Sequence, residues 1–301
     1  MKRIVLFLSL TISAASAAPA IAQESASSEA FPFIRYERNP ARAAVAGAGS
    51  ALQLGGSAYA AFEAGLVAAD STRKVEAAAS YAKMVSATGN SGNMVAGAAI
   101  RLGSKLSLSA GFANQKLDPI QVNGKTHSPS DMILAGGLSL ALGSNMSLGA
   151  SVNYVKSQLL DDYSISGTAF DLMLNYRKEA LGLAAGVRSL GGKVGGASLP
   201  ASAIVSGGYS LPAGPVALNV VADADYYLSG NWSAAAGVEA SVMSLIQVRA
   251  GYRFSSEHAV IPSHLSLGIG LTLGPASLDL AFIPESGNLG SSLLGGVCVR
   301  F

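Results

Sequence analysis

Residues 146–154 read Met-Ser-Leu-Gly-Ala-Ser-Val-Asn-Tyr, and every second side chain in this segment is apolar. The even-numbered residues from Met146 to Tyr154 are apolar, whereas the residues between them are small or polar. A period of two places successive side chains on opposite faces of an extended chain. The segment therefore predicts a β-strand with one apolar face.

The same alternation recurs from about Val75 to the C-terminus and predicts an all-β fold. It predicts 14 strands, at residues 75–84, 93–102, 106–115, 131–141, 146–159, 164–176, 181–190, 201–211, 216–227, 232–242, 246–254, 263–272, 276–283 and 293–301. Most are close to the roughly 9–11 residues that a tilted strand needs to cross a bilayer. An even number of such strands is typical of a single-chain outer-membrane barrel.

The connections between the predicted strands fall into two classes. Every second connection is short, at residues 103–105, 143–145, 177–180, 212–214, 243–245 and 274–275. The others are mostly longer and more polar, including 116–130, 191–200, 255–262 and 284–292. Short periplasmic turns and long extracellular loops are typical of outer-membrane barrels. This arrangement places both ends of the barrel on the periplasmic side.

Aromatic residues are placed near the predicted strand ends. Those near the long loops are Phe112, Tyr154, Tyr226, Trp232, Tyr252, Phe254 and Phe282, and those near the short turns are Tyr176, Tyr209 and Phe301. Amphipathic rings favour the level of lipid headgroups, so two such girdles indicate a membrane-spanning barrel. The terminal Phe301 also resembles the recognition signal of outer-membrane assembly machinery.

The composition agrees with a closed barrel in lipid. Half of the residues are hydrophobic and 13% are charged, yet no run of about 18 apolar residues follows the first 22 residues. An apolar chain without spanning helices can enter lipid as a closed barrel, which satisfies every backbone hydrogen bond. We therefore expect an outer-membrane location and outer-membrane lipid as a partner.

The formal charge makes nucleic acid an unexpected partner. Loss of Lys2 and Arg3 with an N-terminal signal leaves 18 basic and 18 acidic residues, so the mature chain is neutral. The single cysteine, Cys298, cannot form an internal disulfide, and we interpret it as a small buried apolar residue.

The chain divides into four predicted segments. These are a signal peptide at 1–22, a disordered lead at 23–30, a Gly/Ala-rich plug at 31–74 and a 14-stranded antiparallel transmembrane barrel at 75–301. The signal rests on a basic start, a short apolar stretch and an Ala-x-Ala cleavage site. Within the plug, Asn39 and Pro40 are suited to the N-cap and first position of a short helix in residues 41–54.

Charged residues are predicted on the face that points into the lumen, because charges are costly on the lipid face. The lumen candidates are Glu76, Arg101, Asp171, Arg188, Asp223, Asp225, Glu239, Arg249 and Arg253, and the plug candidates are Arg35, Asn39, Pro40 and Arg42. Both signs occur, which favours internal ion pairs over a charge-selective ring. The alternative is that these residues line a path for a solute.

The sequence gives no indication of an enzyme, a cofactor or a metal site. His127, His258 and His264 lie in or beside predicted long loops, and their spacing matches no familiar set of metal ligands. We find no nucleophile and base that would converge on the barrel wall. We therefore expect a non-enzymatic protein without catalytic, cofactor-binding or metal-binding residues.

Three segments carry a family resemblance. Residues 31–35 read Phe-Pro-Phe-Ile-Arg, residues 39–49 read Asn-Pro-Ala-Arg-Ala-Ala-Val-Ala-Gly-Ala-Gly, and residues 248–254 read Val-Arg-Ala-Gly-Tyr-Arg-Phe. They resemble the corresponding segments of PorV/PorQ-type outer-membrane proteins. The resemblance implies a relative of the long-chain fatty-acid transporter barrels, which have 14 strands and a plug. It also implies service to type IX secretion, without any family-wide catalytic residues.

Two functions follow as expectations. The first is an interaction scaffold in protein export, whose long loops at 116–130 and 255–262 contact secretion-system proteins or exported cargo. The alternative is a passive transporter of a hydrophobic or small solute. A transporter requires an apolar pocket near the long-loop mouth or a lateral opening in the wall, for which a kink or bulge in a strand would be suited.

Overall fold

A computed structural model describes residues 29–64, 74–86, 89–122, 124–160, 163–284 and 290–301. The predicted signal peptide, residues 23–28 of the predicted lead and residues 65–73 of the predicted plug lie outside the described residues. No helix within the described ranges is long and apolar enough to cross a membrane.

Fourteen of the sixteen described strands are antiparallel and close into a barrel, in which each strand pairs with the next barrel strand along the chain. The other two are short strands within the connection at 116–130. The first strand pairs with the last, Glu76 opposite Arg300, so that neither edge of the sheet is left open. In chain order the strands are β1 Val75–Ser86, β2 Gly89–Leu102, β3 Leu106–Leu117, β4 Ile120–Val122, β5 Lys125–His127, β6 Ser130–Ala141, β7 Met146–Leu160, β8 Tyr163–Lys178, β9 Leu181–Leu190, β10 Ser202–Ala213, β11 Val216–Tyr227, β12 Trp232–Val242, β13 Ile246–Ser255, β14 His264–Leu273, β15 Ala276–Ile283 and β16 Ser291–Arg300.

The fold class predicted from the alternation is confirmed, and each predicted strand corresponds to one strand of the barrel. Side-chain burial alternates as expected: in β2, Val95 is 2% exposed inside the barrel and Met94 is 59% exposed outside it. Leucine, valine and aromatic side chains dominate the exposed outer face. Such an apolar outer band is the surface that lipid contacts.

The connection at 116–130 contains a hairpin that the sequence analysis interpreted as loop. Strands β4 and β5 pair with each other, Ile120 opposite His127, and are separate from the barrel sheet. Gly124 adopts a φ of +75° in the turn between them. Each strand has only three residues, which is too short for a period of two to be recognised.

The helix in the plug is shorter than the sequence analysis expected. It covers only Pro40–Ala43 (α1), although Asn39 caps it as predicted by accepting a hydrogen bond from the Ala41 N–H at 3.1 Å. Beyond α1 the chain forms consecutive turns, because Ala46 has a φ of +59° and Gly47 a φ of +80°. The expectation of a helix extending to residue 54 was therefore wrong.

Residues 29–64, which contain the described part of the predicted plug and are called the plug below, lie inside the barrel and pack directly on its wall. Helix α1 contacts β14, β15 and β16, and a second short helical turn at Ala60–Phe62 contacts β2, β3, β6 and β7. The lumen-facing Gly97 leaves room for the backbone of Ala58, and Gly251 leaves room for Val45. A Cβ atom at either glycine would collide with the plug, so small wall residues set how closely the plug docks.

Candidate functional site

The plug lies between two cavities of the lumen. The upper cavity, at the long-loop end, has a volume of about 160 Å³. The lower cavity, at the short-turn end, has a volume of about 670 Å³. Residues 34–47 of the plug form part of the upper cavity, and residues 52–57 form part of the lower one. Any solute that passes the barrel along its axis would have to pass the plug.

The upper cavity is lined by both apolar and charged side chains. The apolar lining includes Ile34, Tyr36, Phe62, Met84, Ile133, Ile261, Ile283 and Leu294. The charged lining comprises Arg35, Glu37, Arg38, Arg42, Glu63, Asp171, Arg188, Asp225 and Arg253. The lower cavity is mostly polar, with ion-paired side chains along its wall.

Arg42 lies at the centre of the charged part of this lining. Its guanidinium lies 2.5 Å from the Glu63 carboxylate, 3.6 Å from Glu37 and 3.7 Å from Asp223. Burial alone would lower the pKa of Arg42, but the three carboxylates together raise it above its usual range. Burial raises the pKa of Glu63, and the charge of Arg42 opposes that rise. Arg42 is therefore firmly protonated and links two plug carboxylates to the barrel wall.

Asp223 of β11 connects the wall to the plug. Its carboxylate accepts hydrogen bonds from the Gly49 N–H at 3.1 Å, the Ser50 N–H at 3.2 Å and the Ser50 hydroxyl at 2.6 Å. The Ser206 hydroxyl of β10 donates to the same carboxylate. Bonds to an ionised acceptor are roughly twice as strong as neutral ones, so this cluster is a principal attachment point of the plug.

Two further arginines of the plug face the upper cavity. The Arg35 guanidinium stacks 3.5 Å above the centre of the Tyr227 ring and pairs with Glu29 at 2.6 Å. Arg38 donates to the carbonyls of Ile34, Tyr36 and Phe33. Burial lowers the pKa of Arg38 to about 10, against the effect of nearby carboxylates, so the residue stays charged at neutral pH.

Several of the lumen candidates form ion pairs. Arg249 bridges Glu239 and Asp279, each at 2.6 Å, across the four strands β12 to β15 beside the lower cavity. Arg188 lies 3.9 Å from Asp225 beside the upper cavity.

The remaining candidates have other partners. Glu76 lies 3.6 Å from Arg300, and Arg101 donates to the Gly103 carbonyl at the short-turn rim. Arg253 donates to the Ala46 carbonyl of the plug. Asp171 accepts from Ser151 and from two other donors of the wall rather than from a cation.

Besides Glu29, the partner of Arg35, the sequence analysis did not select five charged residues that complete these clusters. They are Glu37, Arg38 and Glu63 in the plug, and Asp279 and Arg300 in the wall. Asp279 and Arg300 follow the inward phase of their strands, so alternation could have indicated them. The three plug residues lie in a segment without a regular period, and no comparable signal marks them.

The barrel wall is irregular where β8 meets β9. Their pairing undergoes a register shift and ends at Phe170 and Leu190. Within this bulge Ser189 has a φ of +53°, and its N–H donates to the Asp171 carboxylate at 2.6 Å. Ser189 and Asp171 both line the upper cavity, so the bulge borders that cavity.

Beyond the bulge, residues 163–169 of β8 have no strand partner on the β9 side, although the loop that follows β9 is fully described. Side chains of the plug and of this loop cover the lumen face of the segment. A Cβ atom on Gly167 would lie 3.0 Å from Phe31 Cε2 and 3.1 Å from Val194 Cγ2. The loop is attached to the plug, since the Ala30 N–H donates to the Ser198 carbonyl at 2.8 Å.

The histidines do not form a metal centre in the described part of the chain. No group of three or more His, Cys, Asp or Glu residues there could hold a metal ion. His264 lines the upper cavity, and its Nδ1 lies 2.9 Å from the Pro262 carbonyl. Cys298 is 3% exposed beneath the plug and forms no disulfide.

The sequence matches no family model and no curated protein, whereas the fold matches solved structures. The Ralstonia pickettii toluene transporter TbuX is 13% identical, with a TM-score of 0.64 over 87% of this chain and 98% of that chain. The Pseudomonas putida toluene transporter TodX is 14% identical, with a TM-score of 0.62 over 87% and 97%. A Pseudomonas aeruginosa FadL homologue is 12% identical, with a TM-score of 0.57 over 87% and 98%.

These similarities confirm the predicted fold and the predicted outer-membrane location. They do not confirm the PorV/PorQ relationship or the link to type IX secretion. At identities of 12–14%, the similarity is one of fold. The chain has the fold of the 14-stranded, FadL-type barrels of the Gram-negative outer membrane.

Proposed function

We propose that this protein is a passive transporter that carries a small hydrophobic solute across the outer membrane. The upper cavity is the observation that supports this function most directly. It lies above the plug and presents Ile34, Ile133 and Ile283 to its interior. Its volume of about 160 Å³ is comparable with the roughly 150 Å³ of an apolar protein cavity that binds benzene.

The similar solved structures suggest which solute to test first. TbuX and TodX are described as toluene transporters, and CymD is described as a monoaromatic hydrocarbon channel. A single aromatic ring suits the volume of the upper cavity. Contact with apolar side chains removes the ring from water, which is favourable by roughly 25 cal/mol per Å² of buried apolar surface. We therefore propose a monoaromatic hydrocarbon, with toluene as the probe.

The proposed route leaves the upper cavity through the wall rather than through the plug. The lower cavity is mostly polar, so it offers a hydrocarbon little stabilisation. By contrast, residues 163–169 lack ladder hydrogen bonds to a strand on their β9 side, and Phe31 and Val194 cover the lumen face of Gly167. Side chains can move from such a gap at much lower cost than a paired strand can separate.

A reversible cross-link tests both the function and the route. In a Cys298→Ser background, the pair Gly167→Cys and Val194→Cys is suited to a disulfide, because a Cβ atom on Gly167 would lie 3.1 Å from the Val194 Cγ2, which is one bond from the Val194 Cβ. We expect the oxidised protein to reduce uptake of radiolabelled toluene by cells at least tenfold, and a reducing agent to restore it.

The matched control is Ala236→Cys with Tyr252→Cys, a directly paired position on the outer face of β12 and β13. This cross-link joins strands that are already paired, so oxidation should leave uptake unchanged. Equal uptake by both oxidised proteins would contradict the side route. Equal uptake by cells with and without the unmodified protein would contradict the transport function itself.

A further inference from the structure

Three lysines lie on the outer, lipid-facing side of the barrel near its long-loop end. Lys83 in β1, Lys116 in β3 and Lys156 in β7 share the outward phase of their strands. Each lies within four residues of the long-loop end of its strand. The long-loop side is the extracellular side in barrels of this kind, so these cations lie at the level of the outer leaflet.

The strand register brings two of these lysines to either side of a glycine. Gly92 of β2 pairs with Lys83 on one side and with Lys116 on the other. Their backbones are therefore two strand spacings, about 10 Å, apart. A Cβ atom on Gly92 would lie 2.5 Å from the Tyr81 hydroxyl oxygen, so that hydroxyl occupies the space between the two lysines. Lys156 extends the group two strands further round the barrel.

Among the residues that the structure describes, the positive charge of this group is largely uncompensated. None of the three lysines forms an ion pair with any residue that the structure describes. The nearby Asp118 lies two residues beyond Lys116, and its carboxylate accepts the Asn90 N–H at 2.8 Å.

The charge is also confined to one sector. From β10 to β16 the outward-facing positions contain no lysine or arginine, and aromatic side chains such as Trp232 and Phe254 lie near the long loops instead. Lysines that only extend their charged ends to the membrane interface would be expected all round the barrel, so this role does not explain the asymmetry.

We propose that Lys83, Lys116, Lys156 and Tyr81 form a binding site for a phosphorylated lipid of the outer leaflet. Lysine ammonium groups attract anionic headgroups, and the Tyr81 hydroxyl can donate to a phosphate oxygen. Beneath them, Met94 and Phe112 present an exposed apolar surface to the acyl chains. The chemistry fits lipid A, a glycolipid with phosphates at both ends of a compact sugar headgroup. The site is independent of the proposed transport function.

Binding of diphosphoryl lipid A to the purified full-length barrel in detergent micelles tests the site. Each lysine near an anionic surface contributes roughly 1 kcal/mol, or about a fivefold factor in affinity. The triple variant Lys83→Gln, Lys116→Gln, Lys156→Gln should therefore bind about 100-fold more weakly at low ionic strength. A matched triple, Lys74→Gln, Lys105→Gln, Lys178→Gln, removes exposed charges at the short-turn side and should bind as the unmodified protein does.

Heat-dependent migration in gels verifies that each variant is a folded barrel. Lipid A without phosphates should bind the unmodified protein as weakly as diphosphoryl lipid A binds the lysine triple variant. Inorganic phosphate at millimolar concentration should not displace the lipid. The proposal is overturned if the first triple variant binds within threefold of the unmodified protein, if both triples lose binding equally, or if phosphate alone displaces the lipid.

Discussion

At the scale of single residues, Asp223 shows how the plug is attached. It is a buried carboxylate on the wall, and three of its hydrogen-bond donors belong to Gly49 and Ser50 of the plug. Removing one partner from a buried ionic cluster typically costs about 3–5 kcal/mol, because the remaining charge stays buried. Asp223 therefore has a larger effect on the docked plug than any single apolar contact of an alanine-rich segment.

The substitution Asp223→Asn tests this attachment. It removes the charge that Arg42 and the Ser50 hydroxyl contact, so we expect the plug to leave its docked position more often. Cys298 is 3% exposed and packs in the same cluster as Ala58 and Tyr59 of the plug. The rate at which a maleimide labels its thiol should rise at least tenfold, which corresponds to about 1.4 kcal/mol.

The matched control is Glu239→Gln, which changes a buried carboxylate whose partners Arg249 and Asn219 both belong to the wall. Labelling of Cys298 should stay at the rate of the unmodified protein in this variant. If the two substitutions accelerate labelling equally, Asp223 has no special role in holding the plug.

At the scale of elements, the plug differs from the barrel that surrounds it. It contains the four-residue helix α1 and two short helical turns, at Pro32–Arg35 and Ala60–Phe62, and otherwise consists of turns and irregular chain. Its position depends on side-chain bonds to the wall and on close approaches at glycines such as Gly97. The barrel closes through pairing between its own strands, so its wall does not require the plug.

Deletion of residues 31–56 should therefore leave a folded barrel with a wider path. The deletion removes the segment that separates the upper and lower cavities. We expect higher single-channel conductance in planar bilayers and faster entry of small hydrophilic solutes into cells. Deletion of the hairpin at 120–127, which is separate from the barrel sheet, should change neither quantity. Unchanged conductance after the plug deletion would show that the plug does not limit passage.

At the scale of the whole molecule, the distribution of side chains in the barrel is the reverse of that in a soluble protein. Small, polar and charged side chains face the plug, and leucine, valine and aromatic side chains face outward. Without water in the hydrocarbon region, a charge on this outer face is costly in proportion to its depth. The same side chain should thus have different effects at different heights on one strand.

Two arginine substitutions on the outer face of β7 test this dependence on depth. Val152 lies near the middle of the strand and Gln158 lies near its long-loop end. We expect Val152→Arg to lower the free energy of unfolding in lipid vesicles by about 2–4 kcal/mol, and Gln158→Arg by about 0–1 kcal/mol. Equal losses at both positions, measured by chemical denaturation, would contradict a lipid-facing outer wall.

The sequence by itself determined the strands, their faces and the closed barrel, because alternation is a local property of neighbouring residues. It places Asp223 on the lumen face and Val152 on the lipid face without any knowledge of what surrounds them. It also indicated the cap at Asn39, since a cap depends on the next few residues.

Only the tertiary structure decided which distant residues meet. Gly49 and Asp223 are 174 residues apart, and their bond depends on how the strands close around the plug. The register that places Lys83 and Lys116 on either side of Gly92 likewise follows from strand pairing and barrel closure. Residues 163–169 have no partner on the β9 side beyond a bulge in β9, and no local pattern in the sequence marks the position of that bulge. A local period fixes which way a side chain points, whereas the identity of its partners depends on interactions summed over the whole barrel.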